Sequence, residues 1–168
     1  VSPPGAVLQV AQYFNDNDTA AFSGTGISSW TKCHYLSAQF VNPLTAGSKI
    51  LLSYRSLAGV SGYSVGWGQP MYVTAYNDGA NIGNSTYGFA QTNVGEAPRT
   101  NYSNYPNPGS EQYIIAQITG EILFTPTDTY GNCQIYWVAN STHTSYLGRS
   151  GSNYGGTQHV LTLMEVAG

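Results

Sequence analysis

What most limits the fold of this chain is how often it is interrupted. Twenty glycines and eight prolines are spread over 168 residues. No window longer than about ten residues keeps apolar positions at i, i+3, i+4 and i+7 without a Gly, Pro or Asn breaking in. Helices are therefore excluded as the main element. The segments between the breaks are β-branched and aromatic, which suits a pleated surface. Strands are expected at Ala6–Phe14, His34–Val41, Lys49–Leu57, Met71–Asn77, Gln112–Thr119, Glu121–Thr125, Cys133–Asn140 and Gln158–Val166. Weaker ones are expected within Ala21–Trp30, Gly59–Trp67 and Ser145–Arg149.

Alternation within the strands says how they pack. Ile50, Leu52 and Tyr54 share one face, with Leu51, Ser53 and Arg55 opposite. Cys133, Ile135, Trp137 and Ala139 likewise oppose Gln134, Tyr136 and Val138. In His159–Gly168, Val160, Thr162, Met164 and Val166 oppose Leu161, Leu163 and Glu165. Both faces are largely apolar in each segment, so these strands are expected inside a sheet covered on both sides. The sequence leaves the surroundings of Glu165 open. About eight to eleven short antiparallel strands point to an all-β, jelly-roll-like sandwich, since immunoglobulin domains are shorter at about 100 residues. One domain over residues 1–168 is expected, with residues 78–110 as a long loop or insertion, rich in Asn, Gly, Pro and Tyr, that has no convincing strand.

Charge then narrows the partners. Only 8% of residues are charged and the net charge is −3, against about 25% charged in ordinary domains. Such a surface repels copies of itself weakly, so association is expected. The five basic residues, Lys32, Lys49, Arg55, Arg99 and Arg149, are scattered, whereas nucleic acid needs a clustered basic face. No apolar run approaches the roughly 18 residues of a membrane-spanning helix, and Val1–Gly5 does not look like a signal peptide.

Catalytic and metal signatures are weak. Gly62–Gly66 matches G-x-S-x-G around Ser64, but Trp67–Pro70 follows where a helix would have to start. His34, His143 and His159 have no metal spacing. Asp16 and Asp18 lack the remainder of a calcium loop. Glu96, Glu111, Glu121 and Asp128 carry no spacing that pairs two of them as a glycosidase requires. Sequons at Asn17, Asn84, Asn101 and Asn140 are what a chain rich in Asn, Ser and Thr produces by chance. Cys33 and Cys133 read as buried free thiols on separate strands, the alternative being a disulfide closing a long loop. No enzyme activity, metal or cofactor is expected.

The 14 tyrosines remain. Tyr87, Tyr102, Tyr105 and Tyr154 fall outside every expected strand, and Asn101 adjoins two of them. Tyr, Ser, Gly and Asn together make adaptable binding loops, and sugar sites want a flat aromatic beside amides. The same tyrosines would equally serve by packing over their own loops or in a subunit contact.

Four patches carry a resemblance: Pro4–Phe14 (PGAVLQVAQYF), Leu44–Tyr54 (LTAGSKILLSY), Cys133–Ser150 (CQIYWVANSTHTSYLGRS) and Val160–Gly168 (VLTLMEVAG). In this order they resemble C-terminal head domains of tail fibres from tailed phages, marine and cyanobacterial ones in particular. Those open on G-x-V-L-Q-V, continue through T-x-x-S-K-I-L and close on T-L-M-E-I-A. The resemblance implies a non-enzymatic β-sandwich head, trimeric, on the virion surface and assembled in the host cytoplasm. Fibre versions follow long shafts. This chain has none ahead of the matching segment, so the expected object is a separate subunit: a capsid decoration protein, a head fibre or a tail-fibre knob. Its expected partners are its own copies, other virion proteins and, through the Tyr/Asn-rich loops, a host surface glycan. A carbohydrate-binding or host-adhesion module is the alternative reading.

Overall fold

A computed structural model describes residues 2–15, 22–24, 27–61, 69–94, 113–139, 144–148 and 159–168. Among these residues every regular element is a strand. In chain order they are β1 (Val7–Asn15), β2 (Phe22–Gly24), β3 (Ile27–Ala38), β4 (Lys49–Ser61), β5 (Gln69–Asn77), β6 (Ala80–Asn81), β7 (Ala90–Val94), β8 (Tyr113–Phe124), β9 (Cys133–Ala139), β10 (Thr144–Leu147) and β11 (His159–Val166).

Two antiparallel sheets form. The first runs β1-β11-β4, with β8 on the far side of β4 and the short β10 and β2 extending from the second half of β4. The second runs β3-β9-β5, with β7 and β6 on β5. Setting aside the short β2, β6 and β10 leaves eight strands, paired β1 with β11, β3 with β9, β4 with β8 and β5 with β7. First pairs with last, second with second-last, and so inward: a long antiparallel ribbon rolled into a sandwich, which is a jelly roll.

The two faces separated by the sequence are distinct in the structure, which identifies the core side. Ile50, Leu52 and Tyr54 of β4, Ile135 and Trp137 of β9, and Leu161 and Leu163 of β11 are buried between the sheets. Trp137, Tyr54 and Phe40 are the largest fully buried side chains; each large apolar group so placed is worth about 1.5–3 kcal/mol. The closing segment is an interior strand, with β1 on one side and β4 on the other along its length.

Three departures have local causes. The segments expected as Gln112–Thr119 and Glu121–Thr125 are one strand, β8, that passes straight through Gly120. A Cβ there would lie 2.5 Å from the Phe89 carbonyl oxygen and 2.7 Å from Ala90 Cβ of the other sheet. Gly120 marks close sheet packing rather than a turn.

The second departure is β3, which begins at Ile27, well before His34, and ends at Ala38. Its alternation is broken by a bulge: Cys33 and Leu36 both face the core while His34 and Tyr35 point outward, with Tyr35 at φ 69°. Gln134 Nε2 donates to the carbonyls of Cys33 (2.6 Å) and Leu36 (3.0 Å). The bulge also interrupts an edge strand, which discourages pairing with another chain.

The third lies in the stretch expected to be without strands. Asp78 and Gly79 both have positive φ (48° and 80°) and turn β5 into β6 as a type I′ hairpin. β7 follows at Ala90–Val94, where Ala90 adds to the core. Residues 95–110 lie outside the described part.

Candidate functional site

Several of the carboxylates and nucleophiles in the described residues are engaged in structure. Tyr54 Oη lies 2.9 Å and Ser56 Oγ 3.1 Å from His159 Nδ1, all three buried. Burial pushes the Tyr54 hydroxyl well up, and the neighbouring Cys33 adds to this. Cys33 and Cys133 are buried free thiols. Burial raises the first and pushes the second up to about 12, Asp128 adding to the latter, so neither is a thiolate near neutral pH. Asn77 joins the end of β5 to the 125–132 loop, donating to Asp128 Oδ2 (2.9 Å) and accepting from the Thr127 N–H (2.9 Å). Asp128 Oδ1 accepts from the Tyr130 N–H (2.9 Å). Glu121 is exposed on β8 and His34 on the β3 bulge. Among the described residues no three of His, Cys, Asp and Glu are grouped to hold a metal. Ser64, His143, Glu96, Glu111, Asp16 and Asp18 lie outside the described residues.

Glu165 acquires surroundings that its strand alone does not suggest. It is buried, Oε2 accepting from Gln9 Nε2 at 2.7 Å and Oε1 from the Thr45 N–H at 2.6 Å. Burial alone would raise its pKa. The Thr45 N–H, the Ser48 hydroxyl and Gln9 outweigh that and hold it below the usual carboxylate range. Ser48 Oγ makes no hydrogen bond of standard geometry, so its help is that of a nearby dipole. Gln9, Thr45, Ser48 and Glu165 come from three of the patches that carry the tail-fibre resemblance, and here they form one cluster.

A carboxyl with a lowered folded pKa adds stability that is fully present above its unfolded value, about 4.3, and lost as pH falls through the folded value. Glu165→Gln is therefore expected to cost stability at pH 7, with the deficit shrinking as the pH is lowered past both values. Urea titrations of both proteins between pH 7 and 3 measure this, and a deficit independent of pH would contradict it.

Two surfaces remain, and they differ in chemistry. The register of the first sheet places Val10, Met164, Leu51 and Leu123 in one row across β1, β11, β4 and β8, on the face turned away from the core. Val10 is 58% and Leu123 54% exposed. The adjoining row brings Val7 beside Val166, and beyond the polar Gln12–Thr162–Ser53–Glu121 row Phe14 lies beside Val160, with Val7 and Phe14 also exposed. Lys49, Arg55 and Glu121 stand on the same face, and Gln12 Nε2 donates to Thr162 Oγ1 (3.1 Å) between the rows. β1 is also an edge strand of this sheet. Exposed apolar groups on an outer face and edge are what an interface covers.

The second surface is the turn between β6 and β7. Asn84 and Gly88 exchange backbone hydrogen bonds (3.0 and 2.8 Å), and Asn84 Oδ1 accepts the Thr86 and Tyr87 N–H groups (2.9 and 3.0 Å). Trp30 Nε1 donates to the Ser85 carbonyl at 2.8 Å. Gly88 has φ 64°, and a Cβ there would strike the Val73 carbonyl oxygen, so only glycine fits. This frame presents Tyr87 at 55% exposure, its ring 5.6 Å from that of Tyr72 and tilted by 58°. Beside it a cleft of about 340 Å³ is lined by Asn84, Tyr87, Gly88, Phe89 and Gln91.

Of the binding residues expected from sequence, Tyr87 alone falls in the described part; Asn101, Tyr102, Tyr105 and Tyr154 lie outside it. Tyr72, Trp30 and Gln91 were not legible as its neighbours, because β5, β3 and β7 bring them together only on folding. No protein-family model matches the chain, and no curated protein matches it.

Proposed function

We propose that this chain is a non-enzymatic structural subunit of a tailed-phage particle, on the virion surface, that assembles as a homotrimer through the outer face of the β1-β11-β4-β8 sheet. The observation that supports this best is the exposed row Val10–Met164–Leu51–Leu123. A second copy is the natural cover. Only 8% of residues are charged, so copies repel little, and the face carries both signs, Lys49 and Arg55 against Glu121, so neighbours can match opposite charges across the contact. Trimerisation itself comes from the resemblance to fibre head domains. Quantitative mass spectrometry of purified virions tests the placement: hundreds of copies mean capsid decoration, a few mean a head fibre or tail knob, and absence from the particle contradicts the proposal.

One observation favours a second role, adhesion to host glycans. Tyr87 is exposed on a hydrogen-bonded turn of the other sheet, away from the aliphatic face. The two roles are compatible, since an assembled surface subunit can also carry a binding loop.

A further inference from the structure

We infer that the 84–91 turn is a saccharide subsite, taking one neutral sugar ring stacked on Tyr87 with its hydroxyls on the side-chain amides of Asn84 and Gln91. This rests on the adhesion reading and gives it residues and a ligand class.

Three observations converge. The first is rigidity at an exposed position. Here the Tyr87 backbone is held through Asn84 Oδ1, the paired Asn84 and Gly88 peptides and the Trp30 indole, with no room for a side chain at position 88. A group ordered before the ligand arrives loses little entropy on binding. The tilted Tyr72 ring braces one side of Tyr87.

The second is the cleft chemistry. Among the described residues its lining has two amides and two aromatic rings but no Asp, Glu, Lys or Arg. Asn84 Oδ1 is committed to the turn, which leaves its Nδ2 to donate. Gln91 is exposed and lies opposite Tyr72 in register, on the same outward face, so it offers a donor and an acceptor. A flat apolar surface with neutral donors and acceptors at its edge fits a ring bearing C–H groups on its face and hydroxyls around its rim. It offers nothing to neutralise a phosphate, sulfate or carboxylate.

The third is size. About 340 Å³ is at the small end of ligand sites, which run to about 1,000 Å³. That suits a terminal sugar better than an extended chain.

The test is saturation-transfer NMR on the full chain with methyl glycosides of glucose, galactose, mannose and N-acetylglucosamine. N-acetylneuraminic acid and a proline decapeptide serve as comparisons, and a bacterial glycan array is run in parallel. At least one neutral glycoside is expected to bind weakly, with transfer strongest to ring C–H protons. Tyr87→Ala is expected to weaken binding about tenfold or more, Gln91→Ala several-fold, and Tyr87→Phe, which keeps the ring, by little. Both positions lie on an exposed surface, so unchanged melting temperatures separate loss of binding from loss of fold. Array or glycoside binding insensitive to Tyr87→Ala and Gln91→Ala overturns this site while leaving adhesion elsewhere on the chain intact. Binding of the acidic sugar or the peptide in place of neutral glycosides overturns the ligand class. No binding in either format overturns both the site and the adhesion reading.

Discussion

Gly120→Val is expected to lose a large part of the fold's stability. Gly120 lies on the core side of β8, opposite Tyr54 of β4. A Cβ there would meet the Phe89 carbonyl oxygen at 2.5 Å, Ala90 Cβ at 2.7 Å and Ala90 Cα at 2.9 Å. These are backbone and backbone-proximal atoms of the other sheet, so no side-chain rotation relieves the contact. The sheets would have to part locally, where Ile118, Ile122 and Ala90 now pack. Overpacking against movable side chains costs about 1–3 kcal/mol. Against backbone the cost is expected to reach about 4 kcal/mol or more, a large part of the 5–15 kcal/mol that holds a domain together. Denaturant titration measures it, with Gly120→Ala expected to fall between wild type and valine. A valine variant as stable as wild type would mean that the sheets do not approach here.

The second large effect falls on assembly. Val10→Asp combined with Leu123→Asp places charge at both ends of the exposed row, on β1 and β8. Each removes an apolar contact worth about 2 kcal/mol where it is central to an interface, and each would bury a carboxylate. A loss of about 4 kcal/mol or more weakens association roughly a thousandfold. Exposed substitutions of this kind change the fold's own stability by about 0.5 kcal/mol each, somewhat more in a strand. The expected result is a folded, monomeric variant, seen by sedimentation beside an unchanged circular dichroism spectrum. An assembly that survives both substitutions would place the interface elsewhere.

The strands were legible where alternation was long enough to count. β4, β9 and β11 each run for at least seven residues, long enough for period two to separate their faces, although apolar residues on both left the core side to be set by the second sheet. Legibility failed where a single residue carried the geometry. Gly120 looks like punctuation until the opposite sheet is in place, and the bulge at Cys33–Leu36 shifts the period by a residue that no pattern announces. Asp78–Gly79 is a recognisable hairpin signal, yet β6 is two residues long and shows no alternation to attract notice. The candidate surfaces were half legible. Apolar residues on both sides of β11 pointed to cover on both faces, but the row across four strands exists only through register. Tyr87 stood out by exposure outside a strand, whereas Tyr72 and Gln91 sit inside strands and gave no sign of reaching it. Glu165 looked anomalous in an apolar segment, and its partners arrive from positions 9, 45 and 48, which no local window contains.

Further copies of the chain are the proposed cover of the aliphatic face. Native mass spectrometry of the full chain at micromolar concentration, near neutral pH, addresses this directly. A complex of three chains is expected, which the Val10→Asp/Leu123→Asp variant converts to single chains. A wild-type protein that stays a stable, soluble monomer under those conditions would contradict it.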